Sequence, residues 1–291
     1  MSKIVIIGSG PAGISASLYT MRAGIDTMVI SKENSSLKMA DKIENYYGVG
    51  SISGQELEKT GLNNAKNLGV KFASEEVVDL IFENNLIVKT DKNEYSADAV
   101  IIAAGASRNK PKIKNLNKFE GKGVSCCAVC DGFFYKGKDV AVIGSGEYAL
   151  NEIKELLPLA KSVTLLTNGE KLTAVPPTEV KIVTKKISLL NGESALDYVE
   201  FEDGEKLNIA GLFLAVGIAG STDLAKKIGI ITENNKIVIN ENASTNIPSI
   251  FAAGDCTGGM MQIAKAVYEG ALAGTNAVKY IRSLNKKSAL S

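Results

Sequence analysis

Histidine and tryptophan are both absent from the 291 residues. Without histidine there is no Ser-His-Asp or Cys-His nucleophile and no imidazole metal site. Any proton donor must be a carboxyl, lysine, tyrosine or cysteine. An excess of one charge is lacking too. Lys and Arg total 33 against 32 Asp and Glu, a net charge of +1, which argues against nucleic-acid and membrane-surface binding. Apolar runs such as Ile209 to Ala219 fall well short of the ~20 residues of a membrane span. The strand-like run from Lys3 leaves no room for a signal peptide, so a cytoplasmic protein is expected.

Cysteine is sparse but clustered. Of the four, Cys126, Cys127 and Cys130 sit together and Cys256 stands apart. In a chain of this size with no leader, a secreted disulfide scaffold is not expected. Cys127-Ala128-Val129-Cys130 is a C-x-x-C, which beside βαβ patterning reads as a redox pair. Zinc would need four N/S ligands, and neither a histidine nor a second C-x-x-C completes them. An iron–sulfur centre would use all four cysteines at no recognisable spacing. No metal is expected.

Glycine is plentiful, 28 residues, above the ordinary ~7%, and it gathers behind strand-like runs. Lys3 to Ile7 leads into Gly8-Ser9-Gly10-Pro11-Ala12-Gly13, a helical stretch to about Ala23, and a second strand from Thr27 to Ile30. This is the dinucleotide-binding βαβ, in which glycines let backbone amides approach a pyrophosphate at a helix N-terminus. The usual acidic ribose ligand is replaced by Ser31, with Glu33 the nearest carboxylate. The pattern recurs: Asp139 to Ile143 leads into Gly144-Ser145-Gly146-Glu147-Tyr148-Ala149, a helix to about Leu157, and a strand from Ser162 to Thr167. Two further apolar strands end in glycine, at Ala99 to Gly105 and Ser249 to Gly254. Asp255 follows the second, suited to bonding ribityl hydroxyls. A last helix from Gln262 to Leu284 carries small residues for close packing. The polar stretches 106–123 and 240–248 mark domain boundaries.

These residues resemble the low-molecular-weight flavin-dependent thioredoxin reductases over nearly the whole chain. The motifs are GSGPAG at 8–13, IENYYG at 43–48, IIAAGAS at 101–107, CAVCDGFFYKGK at 127–138 and FAAGD at 251–255. The resemblance implies an α/β protein of two Rossmann-like, three-layer, glutathione-reductase-type domains, the second inserted into the first and shortened. An FAD domain of residues 1–108 and 242–291 would enclose a redox domain of 109–241. FAD would lie on Gly8, Ser9, Gly10, Pro11, Ala12, Gly13, Ser31, Lys32, Lys38, Asn45, Val78, Ala104, Gly105, Gly254, Asp255, Gln262 and Ile263. Electrons would pass to the disulfide Cys127–Cys130 and on to thioredoxin, with Asp131 as acid–base group, Cys130 towards the flavin and Cys127 attacking thioredoxin. A helix N-cap is the alternative role for Asp131. Cys126 and Cys256 match non-reactive positions. A homodimer is implied.

The second glycine turn departs from the family. Tyr148 stands where the family has a small polar residue, and Glu147 adds negative charge at a phosphate-binding helix N-terminus. The His-Arg-Arg cations that hold a 2′-phosphate are missing from Leu166 to Ala174, where only Lys171 is basic. Between Thr167 and the expected strand Val180 to Val183, Pro176-Pro177 argues against the usual crossover helix. Gly217 to Thr222 replaces a His-Ser-Pro-type turn. These losses make the chain look like the ferredoxin-dependent, pyridine-nucleotide-independent reductases of clostridia, with Lys110, Lys112, Lys114 and Lys118 as candidate ferredoxin contacts or a solvated linker. An NAD(P)H-dependent reductase, a flavin dithiol oxidase and a flavin-binding redox sensor are the alternatives.

Overall fold

A computed structural model of the chain describes residues 3–32, 35–82, 86–105, 111–217 and 220–288. Glu33 and Lys110 lie outside them. The chain forms two compact units, residues 1–107 with 220–291, and residues 108–219. Both are built on parallel sheets, as the α/β reading expects.

In the first unit five parallel strands run in the order Ile250–Ala252, Ala99–Ile102, Lys3–Ile7, Asp26–Ile30, Lys71–Ala73. Both faces of a parallel sheet are covered, so its strands are apolar throughout rather than alternating. Ile4, Ile6, Val29 and Ile101 pack against the helices Pro11–Arg22 and Ile263–Ser288. Their alternates Val5, Val100 and Ile102 are equally buried on the other face. The two helices approach backbone to backbone. A Cβ at Gly270 would fall 2.1 Å from the Ala12 carbonyl oxygen, and one at Gly274 2.7 Å from that of Ala16. The small residues of the last helix therefore serve close packing. A second, antiparallel sheet comprises Val77–Phe82, Leu86–Thr90 and Glu94–Ala97.

The second unit repeats the plan with five parallel strands, in the order Lys181–Val183, Ser162–Leu166, Asp139–Ile143, Gly211–Leu214, Val124–Ser125. One face packs on an antiparallel sheet of Ile187–Asn191, Tyr198–Phe201 and Lys206–Asn208, joining Ala141, Ile143, Leu212 and Leu214 to Ile187, Leu190, Val199 and Phe201. The helix Glu147–Leu156 follows the glycine turn. Between Leu166 and Lys181 there is no helix, only turns and extended chain. The expected loss of the crossover helix is what the structure has.

One boundary differs from expectation; the other division, at 107/108, falls within the polar stretch 106–123. Residues 220–241 belong to the first unit, so the division falls at 219/220 and not at 241/242. The helix Ser221–Lys227 is held there by Ser221 Oγ, which donates to the Gly105 carbonyl at 2.9 Å, and by Lys227 Nζ, 3.4 Å from the Val78 carbonyl. The polar stretch 240–248 is a loop within this unit, bridging back to Phe251 at Ser244. Likewise 111–123 is no loose linker: Ile113, Leu116 and Phe119 are buried in the core of the second unit. Lys118 donates to the Gly192 carbonyl and Lys114 pairs with Leu189.

Glu75 anchors the antiparallel sheet of the first unit. Thr90, Asn93 and Tyr95 all donate to its carboxylate at 2.6–2.9 Å. Burial pushes this carboxyl up, but these hydrogen bonds and the Lys92 ammonium outweigh it and hold it below the usual glutamate range. A depressed folded-state value gives stability that is present above the unfolded glutamate range and is lost as pH falls through the folded one. The wild type should lose stability relative to Glu75→Gln as pH drops below about 4.3, read by urea unfolding across pH. Parallel curves would contradict the assignment.

Candidate active site

The first glycine turn is shaped by packing on one side and left open on the other. Gly8 takes φ +108°, and a Cβ there would lie 2.4 Å from the Ala103 carbonyl oxygen. A Cβ at Gly13 would lie 1.9 Å from the Gly8 carbonyl oxygen. Gly10 is different: a Cβ there would meet nothing within 4 Å. Gly10 is the N-cap of the helix Pro11–Arg22, makes no side-chain capping bond, and is followed by no acidic residue in the first turn. An uncapped helix N-terminus facing open space presents amides and partial positive charge, as a pyrophosphate requires. This fits FAD, which the chain's residues would hold from Gly8 to Gly13.

Other expected residues are drawn together from far apart in sequence. Ser9 Oγ donates to Ser31 Oγ at 3.0 Å. Asn45 Nδ2 donates to Gln262 Oε1 at 3.1 Å, and both side chains are exposed, with Ile263 opening the last helix beside them. Ala104 is exposed and Gly105 has open space on its Cβ side. Lys32 and Lys38 are ion-paired, with Glu76 and with Glu58 respectively. Val78 is buried in its strand.

The turn that presents Asp255 depends on residues that no motif reveals. Gly254, at φ +89°, comes within 3.0 Å of the Ala12 Cβ at its own would-be Cβ. Glu269 accepts from the Gly254 N–H and the Thr257 hydroxyl, each at 2.8 Å. Lys265 pairs with Glu269 at 2.9 Å and donates to the Gly254 carbonyl and Thr257 Oγ1 at 2.7 Å. Lys236 donates to the Asp255 carbonyl at 2.8 Å. An i, i+4 Lys–Glu pair on a helix is ordinary in sequence; its role appears only in the fold.

In the second unit Cys127 and Cys130 form a disulfide, S–S 2.07 Å. Cys127 caps the short helix Ala128–Asp131 through its sulfur, which accepts from the Cys130 N–H at 3.1 Å. Cys127 is 3% exposed, while Cys130 is exposed. Cys127 is therefore the enclosed residue of the pair and Cys130 the exposed one. Ser125 Oγ donates to Asp131 Oδ2 at 2.6 Å and accepts from the Cys127 N–H at 3.0 Å. Asp131 stands at the N-cap position of the 3-10 helix Gly132–Tyr135 but makes no side-chain capping bond there; its carboxylate is tied into the redox loop through Ser125. Burial, then the Asp131 carboxylate, pushes the Tyr135 hydroxyl up, so it stays protonated. Cys256 is fully buried, its thiol pushed up by burial to about 11, in keeping with a non-reactive role. Cys126 is half-buried against the second core.

The second glycine turn copies the first in its packing but not in its opening. A Cβ at Gly144 would lie 2.3 Å from the Ala215 carbonyl oxygen, as Gly8 does from Ala103. At Gly146, the counterpart of Gly10, a Cβ would meet Thr173 Oγ1 at 3.1 Å. The Thr173 N–H and hydroxyl both bond the Ser145 carbonyl, at 2.8 and 3.2 Å. The loop that replaces the crossover helix thus lies over the turn. Tyr148 is not the obstruction that the sequence suggests. Its ring is buried, 2% exposed, and its hydroxyl donates to the Cys126 carbonyl at 3.3 Å. Glu147 does stand in the helix's first turn. Thr173 occupies the side of Gly146 that is open at Gly10.

Filling the open side of the first turn gives a direct check. Gly10 has extended backbone, so Gly10→Val should fold normally yet weaken FAD retention at least about tenfold, the effect of losing ~1.4 kcal/mol. Flavin absorbance per chain after gel filtration reads this; unchanged flavin content would contradict the cradle.

Residues 2–270 match the model of the pyridine nucleotide-disulphide oxidoreductase family. A thioredoxin reductase of Listeria innocua is 34% identical, the alignment covering 97% of this chain and 95% of that protein. Among solved structures, the atypical thioredoxin reductase TRi from Desulfovibrio vulgaris Hildenborough is 38% identical with a TM-score of 0.92, covering 97% of this chain and 99% of that one. A ferredoxin-flavin thioredoxin reductase from Clostridium acetobutylicum is 31% identical with a TM-score of 0.71, over 97% of this chain and 100% of that one. The chain belongs to the pyridine nucleotide-disulphide oxidoreductase family and, within it, to the thioredoxin reductases.

Proposed function

We propose that this thioredoxin reductase takes its electrons from ferredoxin and not from NAD(P)H. The observation that carries the reading is the contrast between Gly10, open, and Gly146, covered by Thr173. A nucleotide pyrophosphate needs close backbone approach at the second glycine, and in the second unit this chain's own loop holds that place. The missing cations between Leu166 and Ala174 point the same way, since a 2′-phosphate would lose charge-assisted bonds worth ~1.5–3 kcal/mol each. Similarity to a reductase named for ferredoxin and flavin adds support.

Gly8 to Gly13, Asp255 and the Asn45–Gln262 pair would hold FAD, which would supply the two-electron chemistry. The Cys127–Cys130 bond accepts two electrons with two protons and opens to a dithiol. Asp131 manages a proton at the sulfur pair, a task for which no histidine exists. The dithiol then exchanges with the disulfide of thioredoxin, re-forming Cys127–Cys130 and leaving thioredoxin with two thiols. Following the resemblance, the working form is a cytoplasmic homodimer.

Anaerobic addition of reduced ferredoxin, NADPH and NADH in separate experiments, followed by flavin absorbance, tests the donor. Ferredoxin alone should bleach the flavin and support thioredoxin reduction. Rapid bleaching by micromolar NADPH or NADH would overturn the reading and favour an NAD(P)H-dependent reductase.

A further inference from the structure

The helix that follows the second glycine turn has no nucleotide to serve in this reading, yet it carries a face of three residues aimed at the redox segment. Tyr148, Glu152 and Leu156 are spaced four apart, so they share one side of Glu147–Leu156, and all are at most 2% exposed. Tyr148 Oη donates to the Cys126 carbonyl at 3.3 Å. Glu152 Oε2 accepts the Ala128 N–H at 2.7 Å. Leu156 Cδ2 lies 3.3 Å from the would-be Cβ of Gly132. Successive turns of the helix thus meet the redox segment at Cys126, Ala128 and Gly132.

Two of these contacts are explained by anchoring alone. Glu152 asks for more. A backbone amide can be satisfied by a neutral acceptor, while a carboxylate taken out of water carries a large desolvation cost. The amide it takes belongs to the residue beside Cys127, at the start of the helix that Cys127 caps. Amides at a helix N-terminus stabilise a thiolate there. In this loop the Cys130 N–H serves the Cys127 sulfur, whereas the Ala128 N–H is turned to Glu152. The titratable groups gathered at this loop are Cys130 and Asp131 on the short helix, Cys126 before it, Tyr135 after it, and Tyr148 and Glu152 from the helix against it.

We propose that Glu152 is a positioning residue that keeps the Cys127–Cys130 dithiol strongly reducing. Its carboxylate holds the loop through the Ala128 amide and disfavours a negative charge on Cys127. A disfavoured thiolate shifts the equilibrium of the pair towards disulfide, and hence towards giving electrons away. This rests on the reading of Cys127–Cys130 as the redox pair.

The test is the dithiol–disulfide equilibrium of the FAD-loaded full chain against dithiothreitol mixtures, read by alkylation and mass analysis of the Cys127–Cys130 peptide at pH 6 and pH 9. Glu152→Gln keeps an acceptor for the Ala128 amide at nearly the same volume. It should move the equilibrium towards dithiol about tenfold at pH 9, about 30 mV in potential, and less than about twofold at pH 6, where both forms are fully protonated. Equal equilibria at pH 9, or the same shift at both pH values, would overturn the proposal. A wild-type pair that never opens would instead overturn the redox reading beneath it. Should Glu152→Gln fail to fold, the alkylation rate of Cys127 across pH in Cys130→Ser decides. A midpoint above about 8.5, the ordinary cysteine value, supports the role, and one below it overturns it.

Discussion

Close approach of the backbone to a phosphate is the constraint on which this molecule turns. Gly10 and Gly146 hold corresponding places in two copies of one supersecondary unit. The first glycine of each copy packs against the end of a neighbouring strand in the same way, at the Ala103 and Ala215 carbonyl oxygens. What differs is the other side of the turn. At Gly10 there is open space and an uncapped twelve-residue helix. At Gly146 the side chain and backbone of Thr173 close over the turn. On the proposed function the first copy is a nucleotide cradle and the second is structural.

The loss of the crossover helix and the burial of Tyr148 belong to the same change. A chain that runs from Leu166 to Lys181 without a helix is free to lie across the glycine turn, and its Thr173 does so. The helix behind the turn directs Tyr148 and Glu152 to the segment holding the disulfide. In the first unit the reverse holds: Lys265, Glu269 and Thr257 lock the Gly254–Thr257 turn, so Asp255 is presented from a rigid support. Rigid placement of binding groups keeps their geometry productive.

Much of this was legible in the sequence because it rests on local chemistry. Apolar strands running into glycine turns announced both βαβ units, the C-x-x-C announced the disulfide, and Pro176-Pro177 announced the missing helix. What escaped depends on where side chains point and on what long-range packing encloses. Tyr148 reads as a ring in the phosphate's path; in the structure it is turned inward, and the exposed Thr173, with no motif of its own, takes that path. The polar stretches 106–123 and 240–248 read as boundaries; the division at 107/108 falls in the first, whose described remainder is anchored in a core by Ile113, Leu116 and Phe119, and none falls in the second. The second is a loop of the first unit with Ala243, Thr245 and Ile247 buried in it, so polar composition alone does not mark the edge of a domain. Residues 220–241 carry no signal of the unit they join, which is set by contacts such as Ser221 with Gly105.

The central claim is that one glycine turn accepts a nucleotide and the other does not. Calorimetric titration of the FAD-loaded protein with NADP+ and NAD+ tests it without reference to any electron donor. The account predicts no saturable binding up to about 1 mM, where binding is worth only ~4 kcal/mol. A dissociation constant in the micromolar range at one site per chain would contradict it.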